Sequence, residues 1–139
     1  MKPAWMKCFF GIVLAAAALT GNTEEWVEIG VDTEGKYYID PGSIEVDGET
    51  IRLRKRAVYN APLADNFTGR QVLFKESVGV VELDCGRRIN RVISIDMLGV
   101  NGEVVWASGK MPKRLWEDVQ DNTHGGRTFE YVCRQLNKS

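Results

Sequence analysis

The sequence predicts an α+β fold: an antiparallel meander of about six strands, a C-terminal helix packed on it, and one disulfide. Three observations carry this expectation. From residue 25 to 108, apolar and polar residues alternate in short runs separated by turn motifs, which is the period of half-buried strands. At 129–136 the apolar spacing becomes that of a helix stripe. An apolar leader at the N-terminus leaves a single pair of cysteines in the chain that remains. The chain has 139 residues, 44% hydrophobic and 27% charged. That composition argues for a packed core rather than disorder, and the length for one domain.

The leader comes first. Lys2 and Lys7 precede the apolar run "CFFGIVLAAAAL" (8–19), and a small, polar "TGNTEE" follows. This is the three-part plan of a secretory signal peptide, assigned here to residues 1–21, with 22–139 as the single domain. The run is shorter than the ~20 apolar residues of a bilayer span. The alternative is a buried core helix. No membrane span is expected after cleavage, and no cysteine near Leu19–Asn22 offers itself to a lipid. Losing Lys2 and Lys7 and no acid moves the formal charge from −1 to −3. Cys8 leaves with the leader, so Cys85 and Cys133 remain. An even pair in an exported chain suggests a disulfide. A metal pair or two free thiols are the alternatives, but a metal would need more ligands, and His124 is the only histidine.

The elements follow in order. In "EWVEIGV" (25–31), Val27, Ile29 and Val31 share one side, and Trp26, Glu28 and Gly30 the other. "DTEG" (32–35) is turn chemistry, and "KYYID" (36–40) is the hairpin partner. Pro41-Gly42 is expected to end that strand, leaving "SIEV" (43–46) as a short extended piece before the Asp47-Gly48 turn. From Thr50, Ile51, Leu53, Ala57 and Tyr59 share a face, with Lys55 the exception. Arg52, Arg54, Arg56 and Val58 share the other. Neighbouring arginines on that face stand about 6.5–7 Å apart. "NAPLADNFTG" (60–69) reads as a long loop. "QVLFKESVGVVELDC" (71–85) is a long strand in which Gly79 marks a bulge or bend. "RINRVISIDML" (88–98) places Ile89, Arg91, Ile93, Ile95 and Met97 on one face, and "EVVWAS" (103–108) closes the meander. Residues 109–126 are polar. "RTFEYVCRQL" (127–136) is the helix, preceded by Gly125-Gly126. If it lies on the sheet, Cys133 can face Cys85.

These pieces together resemble the surface-adhesin protein E family. The resemblance covers about residues 25 to 136 and rests on "WVEIG", "KYYIDPGSIEVDGETIRL", "ELDCGRRINRVIS", "GEVVW" and "FEYVC" in that order. It implies a small antiparallel sheet with a C-terminal helix tied on by a disulfide, in an exported bacterial protein. It also implies adhesin-like binding of host extracellular-matrix proteins such as vitronectin and laminin. The missing lipid-acceptor cysteine departs from the family pattern, so the location is expected to be periplasmic or secreted, with surface association open.

The residues offer little catalytic chemistry, and no enzyme is expected. An acyl-transfer triad needs an imidazole beside a nucleophile, and His124 reads as a solvated loop residue. No phosphate-loop or dinucleotide motif is present. "DTEG" and "DGE" are turns, not calcium loops, so neither a metal nor a cofactor is expected. The candidate binding residues are basic: Arg52, Arg54 and Arg56, joined by Arg87, Arg88 and Arg91 if their strands are neighbours. Export and the acidic balance argue against nucleic acid. A solvated strand face is the plain reading. The functional one is an anionic partner, either a sulfated glycan or an acidic host-protein segment, matched to arginine forks. The leading expectation is a non-enzymatic exported binding domain. A periplasmic structural or accessory envelope protein is the alternative. Unpaired sheet edges leave a homodimer possible in principle.

Overall fold

A computed structural model describes residues 24–67, 69–111 and 114–137; the expected signal peptide lies outside the described residues. Strands β1 (Val27–Val31), β2 (Gly35–Asp47), β3 (Thr50–Phe67), β4 (Arg70–Asp84), β5 (Ile89–Leu98) and β6 (Val104–Ala107) pair in chain order. Every pairing is antiparallel. A two-residue strand, β7 (Glu117–Asp118), pairs with β5 at Ile89 and Asn90. Helix α1 spans His124–Asn137. The meander, the helix and the bridge are as the sequence predicts.

The core forms where the apolar side of the sheet meets the helix stripe. Ile39, Ile51, Leu53, Val81 and Leu83 pack with Val132 of α1. Phe129, Cys133 and Val119 form a second cluster against Cys85. Cys85 and Cys133 are bonded, with their Cα atoms 5.7 Å apart. That spacing lies in the ordinary range for disulfides.

Four local expectations need correction, each for a physical reason. Pro41 does not end β2. Asp40 pairs with Arg54 and Glu45 with Arg52, so the intervening residues bulge out where no ladder N–H is required. Ser43 fills the gap: its Oγ accepts from the amide of Arg54 (2.8 Å) and donates to the Asp40 carbonyl (2.7 Å). The loop expected at 60–69 is strand for most of its length. A second bulge between Val58 and Leu63 absorbs Pro62, and β3 and β4 continue as a ribbon to Phe67 and Arg70. Beyond Tyr59 and Glu76 this ribbon has no further strand beside it among the described residues.

Gly79 stays in register opposite Lys55 and Ile95. Its bare Cα is still needed, because a Cβ would lie 2.9 Å from the Ser94 carbonyl oxygen. The bulge belongs to β5 instead: Val80 pairs with Ser94 and Val81 with Val92, leaving Ile93 over. A one-residue slip exchanges faces. Arg91 therefore joins the face opposite Met97, and the single face expected from Ile89 to Met97 is split.

The helix starts at His124, and Gly125 and Gly126 lie inside it. Thr123 caps it, its Oγ1 accepting from the Gly126 amide at 3.0 Å. Gly126 is there for close approach of backbone, whereas Gly125 faces only the end of a side chain. A Cβ on Gly126 would meet the Gln120 carbonyl at 2.3 Å, and one on Gly125 the Asn90 side chain at 2.9 Å.

The bridge closes a separation of 48 residues. Replacing both partners, Cys85→Ala with Cys133→Ala, is expected to cost about 2–4 kcal/mol. Urea unfolding followed by circular dichroism measures it; an unchanged midpoint would show the staple to be idle.

Candidate functional site

The register builds one face from the candidate arginines. Arg52, Arg54 and Arg56 project from β3 away from α1, since Ile51, Leu53 and Ala57 are buried on its other side. Their neighbours on β4 are Glu82, Val80 and Val78. On β2, Tyr38 lies beside Arg56 and Asp40 beside Arg54. The Ile93 bulge brings Arg91 opposite Glu82. Four of the six predicted residues thus share the outer face.

Glu82 is the hinge of the electrostatics there. Only 6% exposed, it receives Arg52 Nη2 on Oε2 at 2.8 Å. Arg91 donates to its Oε1 from Nε at 2.8 Å, and its Nη2 forms an ion pair with the same oxygen at 2.8 Å. Burial alone would raise the carboxyl's pKa. The hydrogen bonds and charges of Arg52 and Arg91 overcome this and hold it below the usual value. Arg54 pairs with Glu24 at 2.6 Å and Arg56 with Glu76 at 3.0 Å.

Aromatic rings wall the same face. The Arg54 and Arg56 guanidinium carbons stand 5.4 and 5.9 Å from the Trp26 ring centre. Arg56 is 5.6 Å from Tyr38, and Arg91 4.4 Å from Trp116. These are cation–π distances. Such stacking fixes the guanidinium planes while leaving N–H groups at their edges. Arg52 has the most exposed side chain of the set, at 51%. It lines a shallow pocket of about 320 Å³ with Glu45, Asp47, Thr50, Glu82 and Arg91.

Arg87 and Arg88 are not part of this face. Arg87 closes the β4–β5 turn. Its amide and guanidinium both bond the buried Asp84, at 3.0 and 2.9 Å, and hold that carboxyl below the usual range. Arg88 reaches toward the helix, over the Phe129 ring at 5.0 Å, and pairs with Asp121 and Glu130.

His124 corrects a sequence expectation outright. It is no solvated loop residue. Its ring centre lies 4.6 Å from that of Tyr37, and its Nε2 is buried with no hydrogen-bond partner among the described residues. Burial, together with the charges of Lys55 and Arg127, pushes its pKa down to about 2. Among the described residues, no group of three or more His, Cys, Asp or Glu side chains is placed to hold a metal. No described helix is long and apolar enough to cross a membrane.

The flanking rings and the acids Glu24, Glu76 and Glu82 were not singled out as site residues from sequence. The only signal for them was strand parity: Trp26 and Tyr38 alternate with core residues. Which arginine each would meet depends on register.

A family model described as surface-adhesin protein E matches residues 26–134. No curated protein matches the chain. Among solved structures, the chain is similar to a crystal structure of protein E from non-typeable Haemophilus influenzae. The two share 15% identity, with 86% of this chain and 82% of that one covered, at a TM-score of 0.56. A second structure of Haemophilus influenzae protein E gives 16% identity, 86% and 92% coverage, and a TM-score of 0.53. At such identities the likeness concerns the fold.

Glu82→Gln leaves Arg52 and Arg91 facing each other without an anion. It is expected to destabilise the fold by about 1–2 kcal/mol at pH 7, a figure reduced because Arg52 is half exposed. The folded carboxyl titrates below its unfolded value near 4.3, so its contribution is present above that pH and lost as pH falls. The gap between wild type and variant in urea midpoints should therefore close below about pH 4.

Proposed function

Because the chain belongs to the surface-adhesin protein E family, we propose that it is an exported, non-enzymatic binding protein whose outer sheet face takes an anionic partner. The partner class is a host matrix protein segment rich in acids, or a sulfated glycan. One observation carries this reading: Arg52, Arg54, Arg56 and Arg91 lie together, three of them against aromatic rings. Each guanidinium has five N–H donors and spends only part of them on its carboxylate. The remaining donors can form forks to carboxylate or sulfate oxyanions. Ring contacts reduce the side-chain freedom lost on binding.

The same geometry favours one other reading. Every arginine of the predicted set has a carboxylate partner within the chain. Such internal balance also suits a periplasmic structural or accessory protein whose charges serve its own sheet. Cell fractionation with protease shaving of intact cells separates the two, since a host-binding role requires exposure at the surface.

The binding test is a panel of heparin, vitronectin and laminin against wild type and the Arg52→Ala/Arg54→Ala/Arg56→Ala variant. The triple change is expected to weaken binding tenfold or more, roughly the worth of one charged hydrogen bond. Equal affinity in the two proteins would remove this face as the contact surface.

A further inference from the structure

The imidazole of His124 sits where the second proton that would charge it is disfavoured. It is the first residue of α1, at the end of a helix that disfavours positive charge. From β2, Tyr37 packs on it and is itself only 5% exposed. Lys55 of β3 and Arg127 of α1 act on it as cations. The nearby carboxylate, Asp32 in the β1–β2 turn, is already committed. It accepts the Tyr37 hydroxyl at 3.0 and 3.1 Å and the amides of Glu34 and Gly35 at 2.8 and 3.1 Å, and it faces Arg127 at 3.9 Å. Buried Nε2 has no acceptor to donate to. Arg127 Nε, also buried, lacks a partner among the described residues too.

The two ends of the helix are fastened very differently. Near its C-terminal end, Cys133 is covalently tied to Cys85 and Val132 is fully buried in the core. The first turns have no covalent tie: they are held by ring packing, a long ion pair, the Thr123 cap and the burial of Thr128 and Phe129. We propose that His124 makes the N-terminal part of α1 an acid-released flap, hinged on the Cys85–Cys133 bridge.

The sign follows from linkage. The closed form excludes the proton, whereas the opened form accepts it at the ordinary imidazole value near 6.5. Protons therefore favour opening: the opening equilibrium is flat above about pH 7 and rises about tenfold per unit below 6.5. The other groups facing His124 do not compete in this window. Asp32 feels some desolvation, but its hydrogen bonds and Arg127 hold it below its usual range. Burial moves Tyr37 up to about 12 and Lys55 down to about 8, so both keep their protons between pH 7 and 5. Arg127 stays charged throughout.

Hydrogen–deuterium exchange on the oxidised protein tests this at pH 7 and pH 5. Protection factors of amides 127–130 are expected to fall about twentyfold in the wild type. Those of 132–136 should fall far less. The fall should be below about threefold in His124→Gln and His124→Phe. An equal fall in either folded variant, no fall in the wild type, or a uniform fall along the helix would overturn the proposal. The wild type supplies a variant-free check, since it holds a single imidazole. Its NMR resonance should show no titration in the closed form between pH 7 and 5, and an ordinary midpoint near 6.5 would equally overturn it.

Discussion

One covalent bond fastens the helix to the apolar side of this sheet. Cys85 lies just past β4 and Cys133 near the C-terminal end of α1, so their bond holds the helix stripe over Leu83, Val81 and Leu53. Once that side is covered, the period of two in β3 leaves no choice for the residues between. Arg52, Arg54 and Arg56 must point the other way. The proposed binding face is therefore the side left over once the apolar residues of β3 meet the helix. A modest core and a single helix make such a tie valuable, because a domain of this size buries only about two-thirds of its unfolded surface.

The second constraint is charge neutrality at short range. The chain past the expected leader is acidic in sum, yet four of its arginines are gathered on one face. The structure resolves this by placing Glu24, Glu76 and Glu82 among them. Glu82 serves Arg52 and Arg91 together, which brings two like charges close without leaving either unbalanced. Trp26 and Trp116 complete the arrangement from the ends of the face. The sheet thus presents rigidly held guanidinium groups with little net field. That arrangement favours recognition at contact over attraction from a distance.

Much of this was legible in residue order. Alternation in β3 identified the buried and arginine faces, and the expectation of export suggested the pairing of Cys85 with Cys133. What escaped was anything set by the count of residues across a ladder. Pro41 and Pro62 read as strand breakers, but bulges give each a place with no hydrogen bond to donate. Ile93 looks like its neighbours, and nothing local marks it as the residue left over. Gly125 and Gly126 suggested a break because glycine is a poor helix former. They fit because the Gln120 backbone presses against Gly126 and the Asn90 side chain against Gly125. His124 was misplaced for the same reason, since its burial depends on a helix start that local propensity argues against. The carboxylate partners were invisible because cross-strand contacts belong to the register, not to the sequence neighbourhood.

The β3–β4 ribbon has a different implication. Past Tyr59 and Glu76 no other described strand pairs with it, and a two-stranded ribbon is marginal in water unless side chains such as Val72 and Phe74 are covered, as they are here. Its described tip residues are mostly exposed, and its ends return to adjacent strands of the rigid sheet. A graft inserted there, whether an epitope, a fluorophore tag or a longer hairpin, would be displayed at the end of a stalk. Neither the sulfur staple nor the arginine face would need to rearrange, so the molecule carries a natural site for cargo.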